Sequence, residues 1–142
     1  MFEFLDHTAD VAIRLTSRDE EELFCDAACA VLAILLDLKA SEPLQPRSSV
    51  PLRLEAEDPE SLLVDFLNEL IFLFDTRGFL ARDVQVTSVH LHSPAHLHGQ
   101  LQGDTFDSAK HHAKTEIKAA TFHGLELHRT RGRLEAEVVF DL

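Results

Sequence analysis

The sequence predicts a single-domain α+β protein over residues 1–142, with two helices packed on a largely antiparallel sheet. Three observations lead there. Two stretches, near 17–38 and 58–77, repeat apolar residues at steps of three and four, the period of a helix with one buried face. From Phe79 onward the apolar period changes to two, the signature of half-buried strands. The helices are thereby segregated from much of the sheet, which argues α+β over alternating α/β. A chain of 142 residues can bury most of the surface it exposes when unfolded. Its 45% hydrophobic and 27% charged residues are too apolar a balance for a disordered chain.

In chain order, an apolar run at 2–5 reads as a strand that breaks into "DHTAD" (6–10) and returns as the strand "VAIRLTS" (11–17). Ser17 or Asp19 is the candidate cap of the first helix, followed by three Glu that favour the positive end of the helix dipole. Its stripe is Leu23, Phe24, Ala27, Ala28, Val31, Leu32, Ile34 and Leu35, and the helix is expected to end near Asp37 to Lys39. "SEPLQPRSS" (41–49) is the clearest loop, and "VPLRLEAE" (50–57) alternates as a strand. Asp58 caps the second helix, Pro59 takes its first position, and Gly78 closes it in the left-handed conformation. The strands expected after it are "VQVTSVHLHS", "AHLHGQLQG", "TEIKAATFHGLELHRT" and "RLEAEVVFDL", forming a meander. No internal repeat or low-complexity segment interrupts this order.

Composition excludes some functions. The chain carries 25 acids against 13 bases, a formal charge of −12, and nowhere gathers Lys and Arg into a stripe. Direct, tight nucleic-acid binding is disfavoured. An acidic surface suits a basic protein partner instead. Cys25 and Cys29 share a helical face in apolar surroundings and are expected to fill core as small hydrophobes, without a disulfide or metal role. No secretory signal pattern and no apolar stretch of bilayer length is present, so a cytoplasmic location and no membrane association are expected.

Three segments carry candidate chemistry. "VHLHSPAHLHG" sets His90, His92, His96 and His98 at alternating positions of an apparent hairpin. Residues two apart share a strand face, so the four read either as a metal surface or as an ordinary solvated face. "DHTAD" offers Asp6, His7, Thr8 and Asp10, residue types that also simply make turns. If the last strand lies beside the first, however, Asp10 meets Asp141 and the terminal Leu142, and such oxygens would repel one another unless a hard cation sat among them. In the third segment the alternation gives Glu116 and Lys118 a common face, where an ordinary salt bridge is the simplest reading. There is no P-loop, dinucleotide fingerprint, Gly-x-Ser-x-Gly elbow or HExxH, so an independent enzyme is not the first choice.

Five stretches in a fixed order, "DHTAD", "LLVDFLNELIFLFD", "GDTFD", "HHAKTEIKAATFHGLEL" and "VVFDL", resemble the landmarks of the archease family over nearly the whole chain. The resemblance implies an accessory protein, not catalytic alone, that activates the RNA-splicing ligase in tRNA splicing or RNA repair. It promotes GMP transfer from GTP to the ligase's histidine and repeated turnover, so that GTP and RNA are met only through the ligase complex. It also implies a divalent metal, calcium first with magnesium or manganese as alternatives, held at Asp10, Asp141 and Leu142. Lys118 is implied in activating the partner, while His7, His111, Glu116 and His123 match motif positions without an assigned metal role. Two departures stand out: Phe66 occupies a place where the family usually has Trp, and no Gly lies near Ser17 or Arg18. A chaperone or specificity module for a tRNA-modifying enzyme such as a methyltransferase is the alternative function, and a metal-dependent enzyme is a third.

Overall fold

The computed structural model describes residues 1–5, 10–122 and 124–142. Along the chain run β1 (Phe2–Leu5), β2 (Val11–Ser17), α1 (Glu20–Leu35), β3 (Ser48–Ala56), α2 (Pro59–Arg77), β4 (Phe79–His90), β5 (Ala95–Thr105), β6 (Ala119–Thr121), β7 (Leu127–Thr130) and β8 (Arg133–Asp141). The α+β class and the two helices are as the sequence predicts. The strands divide between two antiparallel sheets, one ordered β1-β2-β8-β6 with β7 also on β8, the other β3-β5-β4.

Local chemistry sets the helix ends. Asp19, not Ser17, caps α1 by accepting the Glu22 amide at 2.9 Å, with Glu20, Glu21 and Glu22 in the first turn. The helix stops at Leu35, short of the expected end, because Leu36 turns extended and bridges Ala113. In α2 the Asp58 carboxylate accepts the Ser61 amide at 2.7 Å, and Gly78 takes a φ of 65° while its N–H donates to Phe74 at 2.8 Å. That conformation is nearly free only to glycine.

Both helices contribute to one apolar core shared by the two sheets. Phe24 of α1 and Phe66 of α2 are fully buried and meet edge to face at 5.1 Å. Ile13, Leu15, Val138 and Phe140 come from one sheet, Leu52, Leu97 and Leu101 from the other. Cys25 is half-buried against this core with its thiol toward the Val84 carbonyl at 3.6 Å, and burial pushes that thiol's pKa up. Cys29 corrects the expectation, since it is exposed and fills no core.

The segment expected as one strand over 115–130 is broken. Residues 106–118 run without regular strand structure apart from the single bridge at Ala113, and β6 and β7 are only three and four residues long. Ile117 and Ala120 are both buried, three residues apart, so a strict alternation cannot continue through them. The backbone is satisfied by non-local partners instead: Asp37 N–H donates to His112 O, Lys114 N–H to Leu35 O and Lys118 N–H to Asp141 O, each at 2.8 Å. Among the described residues no helix is long and apolar enough to cross a membrane.

Candidate functional site

The candidate site forms where β2, β8 and β6 come together. β2 pairs antiparallel with β8 from Ser17 opposite Leu134 to Val11 opposite Phe140. Asp10 directly precedes Val11 and Asp141 directly follows Phe140, so the two aspartates flank the last pair of that ladder. On the other side of β8, Ala119 opposes Asp141 and the Lys118 N–H donates to the Asp141 carbonyl at 2.8 Å. Phe140 is fully buried and Asp141 is exposed, so the strand's alternation turns this aspartate away from the core. Asp10 is half-buried. Two residues separated by most of the chain thereby come to the same end of the β2–β8 ladder, with Lys118 on the adjoining segment.

Lys118 is exposed and lines a groove of about 330 Å³ with Glu116, Asp75, Phe74 and Leu142. Glu116 and Lys118 therefore do share a surface, although it is not a strand face. Among the described residues neither Asp10, Asp141 nor Lys118 makes an ion pair. The corner thus brings two aspartates to one ladder end without an ion pair among the described residues, and carboxylate oxygens are the donor type that suits a hard cation. Among the described residues no three His, Cys, Asp or Glu side chains converge as a ready ligand set. A cation here would rest on the two aspartates and the oxygens of Leu142, with remaining positions left to other ligands.

Asp6, His7, Thr8 and His123 lie outside the described residues. The four hairpin histidines do gather on one surface: His90 stands opposite His96, with ring centroids 5.8 Å apart, while His92 lies 5.0 Å from His90 and His98 lies 4.7 Å from His96. His96 Nε2 hydrogen-bonds the Ser88 hydroxyl at 2.7 Å, and His98 Nε2 lies 3.6 Å from Glu55.

One positioning residue escapes sequence reasoning. Asn68, in the middle of α2, accepts the Ala120 N–H at 2.8 Å and donates to the Ala120 carbonyl at 3.4 Å, fixing β6 and so the approach of Lys118 to Asp141. The signal was an asparagine inside an apolar helical stripe, where it is a poor helix former unless its amide is used.

The profile of the archease protein family matches residues 2–142. The chain belongs to the archease family. A protein archease of Methanopyrus kandleri is 34% identical, with 99% of each chain covered. Among archease structures, the solution structure of protein 1598 from Methanobacterium thermoautotrophicum superposes with a TM-score of 0.76 at 32% identity, covering 99% of this chain and 98% of its own. A crystal structure from Thermotoga maritima, described as an archease and possible chaperone, gives a TM-score of 0.58 at 25% identity, covering 97% of this chain and 94% of its own. The paired helices and two antiparallel sheets are therefore the archease fold.

Proposed function

We propose that this archease is a cytoplasmic, metal-binding accessory protein of an RNA-splicing ligase, which promotes the ligase's guanylylation and multiple turnover without being catalytic alone. The observation that supports this reading is that Asp10 and Asp141 flank the last pair of the β2–β8 ladder, with the Lys118 N–H donating to the Asp141 carbonyl. Asp10, Asp141 and the oxygens of Leu142 would hold a divalent cation, calcium first and magnesium or manganese otherwise. When bound, that ion supplies positive charge with open positions for water or phosphate oxygens. The protein's own part is positional. Asp141 is fixed by pairing with β2 and β6, and the Lys118 ammonium, free of an ion pair, is available to face negative oxygens of a partner-bound triphosphate.

The test is a guanylylation and ligation assay with substoichiometric ligase, GTP and RNA. Asp10→Ala and Asp141→Ala are expected to reduce the rate to that of the ligase alone with circular dichroism unchanged, and Lys118→Ala to lower it with metal binding intact. Full stimulation by both aspartate variants would reject the site. A second reading, a chaperone of a tRNA-modifying enzyme, is favoured by the charge of −12 and by the description of the Thermotoga relative as a possible chaperone. It predicts that stimulation of the ligase is absent from the native protein as well.

A further inference from the structure

A second cavity, of about 540 Å³, opens where the end of β5 and the turn after it meet the loop before β3, with Arg47, Asp104, Asp107, Ser108, Lys110 and His111 on its walls. Its volume is within the range of small-molecule sites. Most carboxylate oxygens on these walls are already engaged. Asp104, buried, accepts the amides of Gln45 at 3.0 Å and Thr105 at 2.9 Å and pairs with Arg47 Nε at 3.4 Å. The Asp107 carboxylate accepts the Ala109 amide at 2.9 Å.

The donors are not engaged. His111 is 3% exposed, and its Nδ1 accepts the Asp107 N–H at 3.0 Å. With Nδ1 serving as acceptor, the neutral ring carries its proton on Nε2. That buried Nε2 has no hydrogen-bond partner among the described residues, which is a costly arrangement for a donor. The Lys110 ammonium and the Ser108 hydroxyl also lack partners among the described residues, and Arg47 engages Asp104 through Nε, leaving its terminal nitrogens. The walls therefore offer a planar guanidinium, an ammonium and a hydroxyl, with His111 lining the same cavity and its unpartnered Nε2 buried. A group with three or more outward oxygens satisfies such a set better than a planar carboxylate does.

We propose that this cavity is a binding site for a phosphoryl group, held by His111, Lys110, Ser108 and Arg47. It is separate from the Asp10–Asp141 corner and does not depend on the metal reading. Two cations face two carboxylates, so hydrogen-bond geometry rather than net charge carries the recognition, and weak but saturable binding is expected.

The test is a ¹H–¹⁵N NMR titration of the whole protein with orthophosphate and, separately, with a nucleoside 5′-monophosphate, using chloride at matched ionic strength as control. Saturable shifts confined to the Asp107–His111 amides and the His111 ring nitrogens are expected with both phosphates and not with chloride. Equal affinities would mean that the phosphoryl group alone is read, and tighter binding of the nucleotide would identify a nucleotide as the source. Lys110→Ala, at an exposed position, should weaken binding about tenfold, the value of one charge-assisted hydrogen bond. His111→Gln should weaken it too if the variant still melts cooperatively. Shifts that rise linearly, that chloride reproduces, or that Lys110→Ala leaves unchanged would overturn the proposal.

Discussion

The β3-β5-β4 sheet and the β2-β8-β6 corner are built in opposite ways. In the first, strands of nine, eleven and twelve residues pair over almost their full length, and β4 and β5 are sequential strands joined by a short turn. In the second, a strand beginning at Val11 pairs with one ending at Asp141, and the third member, β6, is three residues long. Closing a hairpin fixes little chain, whereas joining residues so far apart in sequence carries a larger loop-closure cost. One sheet stands largely on its own ladder. The corner that carries Asp10, Asp141 and Lys118 depends on contacts from outside the sheet.

The largest effect is expected in the local sheet. Gly103 and Gly99 of β5 pair with Ala81 and Val86, each just before an irregularity in the register of β4. A Cβ at Gly103 would lie 2.1 Å from the Leu80 carbonyl oxygen, and one at Gly99 2.1 Å from that of Gln85. The bulges bring the β4 backbone over β5, so the glycines are required by close approach rather than by backbone dihedrals. Gly103→Ala should cost about 3 kcal/mol, the upper end for overpacking, measured by urea unfolding. An unchanged midpoint would mean that the two strands can separate without loss.

A smaller effect is expected at Asp104, where β5 is tied to the loop before β3. Burial acts to raise this carboxyl's pKa but is outweighed by the Gln45 and Thr105 amides, with Arg47 and His111 assisting, so it lies below the usual carboxylate value. A folded pKa below the unfolded one, near 4, adds stability that is complete above the unfolded value and is lost as pH falls through the folded one. Asp104→Asn should therefore be about 1–2 kcal/mol less stable than the native protein at neutral pH. The gap should close as unfolding is followed below pH about 4. A gap independent of pH would remove the charge from the explanation.

What could be read from the sequence follows the same division. Asp19, Asp58, Pro59 and Gly78 announce their helices because caps and breakers act within a few residues, and "VAIRLTS" coincides with β2. The bulges of β4 were invisible, since a register shift leaves the alternation on either side intact. The irregular course of 115–118, within the stretch expected as one strand, is not readable from the sequence, because the backbone there and just before it is satisfied by Asp37, Leu35 and Asp141, partnerships that no local pattern encodes. The pairing of β2 with β8, which brings Asp10 and Asp141 to one ladder end, is readable only as a condition, because hydrophobic period gives a strand's faces and not its neighbour. The hydrogen-bonding sites of the Asp107–His111 turn were likewise hidden, although His111 was noticed as a motif position.

Asn68 offers the finest separation of the two regions. Its side chain forms two hydrogen bonds with the backbone of Ala120, and neither residue belongs to the β3-β5-β4 ladder. Asn68→Ala removes both bonds at once and should cost about 1 kcal/mol of global stability, read from urea unfolding. The local consequence should be larger than that number implies. β6 has only three residues, and without Asn68 the Ala120 amide loses its partner, so hydrogen exchange at Ala120 should accelerate while exchange in β4 and β5 stays slow. Lys118 directly precedes this strand, so the same loosening would blur its placement against Asp141 and, under the proposed function, reduce stimulation of the ligase more than the stability loss accounts for. If exchange rises equally in both sheets, the corner is not an independently fastened element but part of one cooperative unit with the rest of the domain.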